Sequence, residues 1–214
     1  MSTPAQLPTS TDAPAVRRRG RPGHDQEAVV RKAIAVFNER GYDATSMEDL
    51  ARELGVSKSA IYHHVPSKEH LLEQALDEGL GALSRLLEEA RRRDEPAIAR
   101  LRWTVEQSVH VLAAHLPAVT LVLRVRGNSP VEVEALRRRR AVDAELAFLV
   151  RDAVAEGSLR ADLDPDLVSR LLFGMVNSLT EWLHPGHGSD PDVSGIARAI
   201  SAVAFDGLER AARS

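Results

Sequence analysis

The sequence predicts an all-α protein of about nine helices. An N-terminal three-helix bundle containing a helix-turn-helix is followed by a larger helical domain. Three observations carry this reading. Apolar residues recur at three- and four-residue spacing through most of the chain. Gly, Pro and the capping residues Ser, Thr and Asp interrupt that spacing where helices would stop and start. Hydrophobic residues make up 43% of the chain but aromatics only 4%, so Leu, Ala and Val must fill the core, and Ala and Leu are strong helix formers.

The elements follow in order. Residues 1–16 are Ser, Thr, Pro and Ala with little else, a composition that builds no core. A short basic run, Val16 to Pro22 with Arg18, Arg19 and Arg21, completes an N-terminal arm over 1–23 that is expected to be disordered. It is either a solvated tail or an arm that lies along DNA, where Arg inserts readily into the minor groove. Helix one is expected over 25–40, with Val29, Val30, Ala33, Ile34, Val36 and Phe37 on its inner face and Gly41 as its stop. Thr45 and Glu48 read as a capping box opening helix two, whose inner face is Met47, Leu50, Ala51 and Leu54. Gly55-Val56-Ser57 then forms a tight turn, with Val56 plugging the crevice. A helix of about seven residues follows before Pro66, too short to be stable alone. Ala60, Ile61 and Val65 would anchor it, leaving Lys58, Ser59, Tyr62 and His63 facing outward. Ser67 caps a long helix over 68–92.

Beyond this head, over 24–70, the second domain is expected over 71–214. Its helices are predicted at 94–115, with Asp94 as cap and Pro96 in the first turn, at 118–126, and at 130–156, opened by a Ser129–Glu132 box. Two more are predicted at 164–184 and 190–212.

Net charge is −3, but it is unevenly spread. From Arg17 to Lys68 there are 10 Lys/Arg against 7 Asp/Glu, a surplus of +3 that leaves −6 on the remainder. A basic end on an acidic body suits a DNA binder with a separate second domain. There is no cysteine, so disulfides and thiolate metal sites are excluded. No signal peptide is visible, and no stretch approaches the ~20 apolar residues of a membrane span. A soluble, cytoplasmic protein without membrane contact is expected. There is no nucleophile constellation, no phosphate-binding Gly loop and no set of spaced metal ligands, and Glu88-Glu89 lies on a helix surface. Neither catalysis nor a cofactor nor a metal is therefore expected. His63 and His64 point about 100° apart on a helix and do not readily share a metal.

Residues 41–72, GYDATSMEDLARELGVSKSAIYHHVPSKEHLL, closely resemble the DNA-binding domain of TetR-family transcriptional regulators. The likeness runs without gaps from about Asp25, with Val65 standing where the family usually has Phe. It implies a repressor, or an activator of the same family, that binds palindromic double-stranded operator DNA as a homodimer and responds to a small-molecule effector. Carried onto this sequence, Lys58 would reach a phosphate or a guanine edge. Tyr62 and His63 would meet phosphate or a thymine methyl, and His64 phosphate. Thr45 and Lys68 would hold phosphate at helix N-termini, and Ser57 and Ser59 are small donors near the groove. Tyr62 has a second reading as a packed core aromatic.

In the family, the last two long helices form a four-helix bundle with the partner subunit. Small residues Gly174, Ser178, Ala199, Ala202 and Gly207 would let helices approach, and Leu172, Val176, Leu179, Ile200 and Val203 would supply apolar area. The alternative is that the same residues merely pack within one subunit. The effector cavity is expected among the middle helices. Its candidate residues are Trp103, Gln107 and His110 on one helix face, Phe173, Asn177 and Thr180 on another, and Phe148 between them, each of which also reads as plain core. The run Trp182-Leu183-His184-Pro185-Gly186 resembles the Trp-x-x-Pro-Gly ending of TetR regulators that sense acyl-CoA thioesters. The resemblance implies an acyl-CoA effector, with another apolar small molecule as the alternative. Arg124, Arg126 and the run Arg137 to Arg140 would meet CoA phosphates, or else pair with Glu132, Glu134 and Asp143.

Overall fold

The structure, a computed structural model, describes residues 26–183 and 191–208. The basic arm with Arg18, Arg19 and Arg21, the loop 185–189, Asp190 and the last expected turn to Ala212 lie outside the described residues. Among those described, every regular element is a helix.

The head is α1 (Gln26–Arg40), α2 (Met47–Leu54) and α3 (Lys58–His64). It is packed against the first half of α4 (Lys68–Arg92). The capping box of α2 falls one residue later than the sequence suggests. Ser46, not Thr45, is the cap. Its hydroxyl accepts from the Asp49 amide while the Asp49 carboxylate accepts from the Ser46 amide. The expected Thr45–Glu48 pair shares the same spacing, so spacing alone does not separate the two registers. Gly55 closes α2 in the left-handed region, φ +67°, where glycine alone is unstrained. Ser67 caps α4 as expected, and Ser57, the last residue of the turn, caps α3. Ile61 and Val65 are buried and hold α3 down, so valine at 65 still docks the short helix.

The body comprises α5 (Ala97–Ala114), α6 (Leu116–Arg124), α7 (Pro130–Ala155), α8 (Pro165–Asn177), α9 (Leu179–Trp182) and α10 (Val193–Phe205). Four boundaries differ from expectation. The N-terminus of α5 is capped not by Asp94 but by Glu156, reaching across from the end of α7 to the Ala97 amide at 2.7 Å. The expected helix over 164–184 breaks at Ser178, making ten helices among the described residues rather than nine. There the Ser178 and Thr180 hydroxyls bond to carbonyls three residues back and compete with the helix ladder. The last helix is capped by Asp192 and ends at Phe205, just before Gly207 at φ +77°.

The fourth difference involves Glu132. It does not return to cap Ser129, nor does it pair with arginines. It is buried, and its Oε2 accepts from the backbone amides of Arg126 (3.2 Å), Gly127 (2.8 Å) and Asn128 (2.8 Å). Three donors converging on one carboxylate wrap the α6–α7 loop around it and end α6 at Arg124 instead of 126.

Two apolar clusters run through the molecule. The first holds the head together with Leu71, Leu72, Leu76 and Leu80 of α4, Ala118, Leu121 and Val122 of α6, and Ala135 of α7. It therefore does not stop at residue 70. The second holds Leu87 and Ala90 of α4 with residues of α5, α7, α8 and α10 and Val119 of α6. Only α4, α6 and α7 supply both clusters. Where α4 crosses α6 sits Gly79. A Cβ built there would lie 3.3 Å from the Ala118 carbonyl carbon, the Val119 nitrogen and Val122 Cγ2, so the two helices approach at backbone level. Asn38 of α1 ties down both ends of α6. Its Nδ2 donates to the Pro117 carbonyl (2.8 Å), and its carbonyl accepts from Arg124 (2.6 Å).

Replacing Glu132 by Ala strands three amides on a buried carboxylate site, so Glu132→Ala should cost about 3 kcal/mol. Urea unfolding of the variant beside the parent measures it; a loss within ~0.5 kcal/mol would show that water replaces the carboxylate at no cost.

Candidate nucleic-acid interface and effector cavity

The outer face of the head is built by α3. Because Ile61 and Val65 point inward, helical geometry turns the intervening positions out. Lys58, Ser59, Tyr62, His63 and His64 are all exposed, and Tyr62, at 45%, is not a core aromatic. Ser57 is partly committed, because its hydroxyl accepts from the Ala60 amide and lies 3.0 Å from the Ser59 hydroxyl. Lys58 donates to Glu48 of α2 at 2.8 Å. That contact holds the Glu48 carboxyl below its usual range and raises the Lys58 ammonium. Beside this pair lies a groove of about 520 Å³ between the α2 N-terminus, α3 and the start of α4.

Two expected contacts are turned inward instead. Thr45 is buried, and its hydroxyl donates to the Gly41 carbonyl at 2.8 Å, closing the α1–α2 turn. Lys68 donates to the carbonyls of Tyr42 (3.1 Å) and Thr45 (3.0 Å), with its ammonium 4.2 Å from the centre of the Tyr42 ring. Both side chains thus serve the turn between α1 and α2, which leaves the backbone amides at the two helix N-termini as the groups that face a phosphate. Burial pushes the Tyr42 phenol up to about 12.

The second site lies between α4, α6, α7 and α8. Phe173 and Asn177 line a cavity there with Leu80, Leu83, Val119, Leu123, Arg139 and Asp143. Its volume is only about 30 Å³, room for one water. Arg139 and Asp143, one turn apart on α7, form its polar end, and burial raises the Asp143 carboxyl against the pull of Arg139 and Arg170. In the sequence Arg139 stands within an arginine run, which does not single it out. The usable signal was its four-residue spacing to Asp143 beside inward-facing Val142 and Leu146.

Other expected pocket residues lie elsewhere. The inner face of α5 is Leu101, Thr104, Val105, Ser108 and Leu112, which leaves Trp103, Gln107 and His110 half-buried on its flank. The Arg93 guanidinium covers the Trp103 ring at 4.3 Å. Phe148 is 52% exposed beneath Arg151, because α7 buries Leu146, Leu149 and Val150 on either side of it. Arg124 is spent on Asn38, and Arg137 forms a two-pronged pair with Glu134 (2.7 and 2.5 Å).

Leu172 and Val176 of α8 and Leu179 of α9 are buried inside the subunit, contrary to the dimer assignment. The outward residues are Leu167, Leu171, Gly174 and Ser178, together with Ala199, Ala202, Val203 and Gly207.

Comparison with known proteins agrees with this layout. Residues 29–75 match the model of bacterial regulatory proteins of the tetR family, and residues 94–208 match the tetracyclin repressor-like C-terminal domain. The chain belongs to the TetR family. It is a helix-turn-helix transcriptional regulator and not an enzyme. The TetR-family regulator SCO3833 of Streptomyces coelicolor A3 is 46% identical with a TM-score of 0.80, over 85% of this chain and 91% of that one. The repressor KstR2 of Rhodococcus jostii is 28% identical over 92% of this chain and 97% of its own length. AibR, in its complex with isovaleryl coenzyme A and operator DNA, shares the fold at 21% identity and a TM-score of 0.70, over 84% of this chain and 97% of that one. Among the described residues, no helix is long and apolar enough to cross a membrane, and no group of three His, Asp or Glu is placed to hold a metal.

In this TetR-family head, Lys68 ties the α1–α2 turn to α4. Lys68→Ala should lower stability by about 1–2 kcal/mol, from two carbonyl contacts and a cation–π contact. It should leave the salt dependence of DNA binding unchanged. Thermal melts and binding at several salt concentrations test this, and a shallower salt slope with an unaltered melt would return Lys68 to the phosphate role.

Proposed function

We propose that the protein is a repressor that grips palindromic operator DNA as a homodimer and is released by a small-molecule effector, with an acyl-CoA thioester as first candidate. The observation that carries the DNA reading is the outward face of α3. A seven-residue helix is held by two buried anchors and presents Lys58, Ser59, Tyr62, His63 and His64 together. This is a mixed set of phosphate and base contacts, of which most fix position and few read sequence. Arg18, Arg19 and Arg21 extend the contact along DNA. The protein acts in the cytoplasm, where its operator lies.

A homodimer is favoured by the unpartnered face of α8 and α10. Leu167 (48% exposed) and Leu171 (59%) share a face of α8 with Gly174, and α10 leaves Ala199, Ala202 and Val203 (42%) exposed. Small residues let helices approach closely, and exposed leucines supply apolar area to bury. Two heads held this way would meet half-sites about 34–36 Å apart.

The effector reading rests on the α4–α6–α7–α8 cavity. Its wall is apolar, through Leu80, Leu83, Leu123 and Phe173, and Arg139, Asp143 and Asn177 give it a polar end. That division suits an acyl chain joined to a polar, anionic carrier, and of the arginines expected to meet CoA phosphates it is Arg139 that lines this cavity. The AibR complex supports a thioester. Drug-sized ligands need roughly 300 Å³ or more, so an effector must part the helices to enter this cavity. Work done on opening it is the source of differential affinity between DNA-bound and released states.

Leu171→Glu places a charge in the dimer face and should weaken self-association roughly 30-fold or more, with the subunit's helix content unchanged because the side chain is exposed in the single subunit. Sedimentation velocity reads this out; an unaltered dimer would move the interface elsewhere. For the effector, the operator complex is titrated with aliphatic and aromatic acyl-CoAs beside their free acids. A thioester should weaken DNA binding by about 5- to 150-fold. If no thioester acts and an uncharged apolar compound does, the CoA reading is wrong and only the general sensor reading stands.

A further inference from the structure

On the reading that α3 faces DNA, we propose that Glu48 is a specificity-determining residue, a carboxylate that keeps Lys58 from gripping phosphate while leaving it able to read a base edge.

The ion pair joins the two helices of the helix-turn-helix on their DNA-facing side. Lys58 Nζ lies 2.8 Å from Glu48 Oε1, with the two side chains 52% and 70% exposed. Exposed pairs of this kind add little to stability. The other two carboxylates of α2 have structural duties: Asp49 caps the helix, and Glu53 pairs with Lys32 and Arg40. Glu48 touches Lys58 at the rim of the groove, and a bare carboxylate there would repel DNA.

Its effect on Lys58 depends on what Lys58 meets. An ammonium has three donors. With one on Glu48, two remain for the O6 and N7 acceptors of guanine, which are neutral dipoles and tolerate a neighbouring carboxylate. A phosphate is an anion. To reach it, Lys58 must either abandon Glu48 or carry that carboxylate against the DNA backbone. Either way, a non-specific cation becomes a nearly neutral hydrogen-bonding pair. Random DNA, which offers mainly phosphates, loses more than an operator that places guanine under Lys58.

Counterion arithmetic makes this measurable. In the parent, Lys58 held by Glu48 makes no phosphate contact and releases no DNA counterion, whereas a free Lys58 would make a Lys58–phosphate contact. With glutamine at 48, each such contact releases about 0.9 ion, or about two for two heads.

The test uses the full-length protein, a palindromic duplex selected from a randomised pool, and a random-sequence duplex of equal length. Glu48→Gln should tighten random-duplex binding about tenfold and steepen its salt slope by about two. The selected duplex should gain less than threefold, so the specificity ratio falls. Lys58→Ala added to Glu48→Gln should cancel the gain. Random-duplex affinity within twofold of the parent, or a gain that survives Lys58→Ala, overturns the inference while the operator reading stands. If the parent selects no duplex at all, the operator reading fails and this inference falls with it. Circular dichroism and melting curves confirm that each variant is folded; should Glu48→Gln misfold, Glu48→Ala replaces it with the same expected outcomes.

Discussion

The close approach of α4 and α6 at Gly79 is the constraint on which the rest of the architecture depends. With no side chain at 79, the two backbones meet, and α6 sits near enough to α1 for Asn38 to bind both of its ends. Helix α4 then runs on from the head core into the body core, with Leu71, Leu72, Leu76 and Leu80 in one and Leu87 and Ala90 in the other. The head is thus not a bead on a linker. Its apolar residues are completed by leucines and alanines that belong to the body, and a seven-residue α3 persists only because that shared core exists.

The same arrangement gives the proposed effector a route to the DNA face. The cavity lies on one flank of α6, walled by Val119, Val122 and Leu123, while Ala118 and Leu121 face the head. A ligand that parts α6 from α7 and α8 pushes on the helix that Asn38 and Arg124 bind to α1. Glu132 stiffens the loop behind it by gathering three amides, and Asn128 of that loop meets Asp43 at 3.4 Å. Packed cores and hydrogen-bonded straps of this kind resist gradual deformation, which favours two discrete positions of the head over a continuum.

Much of this was legible in the sequence because helices announce their ends chemically. Ser67 and Ser129 cap where expected, and Gly55 stops α2 where only glycine is unstrained. The outward set on α3 followed from the inward pull of Ile61 and Val65. What was not legible depends on partners distant in sequence. Glu156 replaced Asp94 as the α5 cap, Glu132 turned to the loop rather than to an arginine, and Lys68 turned to Tyr42 rather than outward. The cavity was half seen. Phe173 and Asn177 line it, but Trp103, Gln107, His110 and Phe148 do not, because an aromatic or polar residue on an apolar helix does not by itself reveal which flank the next helix covers.

The central claim is that the head core is completed by α4 and α6, which also carry the body core, so that head and body unfold together. Equilibrium urea unfolding followed by amide hydrogen exchange, peptide by peptide, tests it most directly. Coincident transitions for peptides from α1–α3 and from α7–α8 are predicted, as for a single cooperative unit. A head that loses protection at distinctly lower urea, while the body remains folded, would contradict the claim.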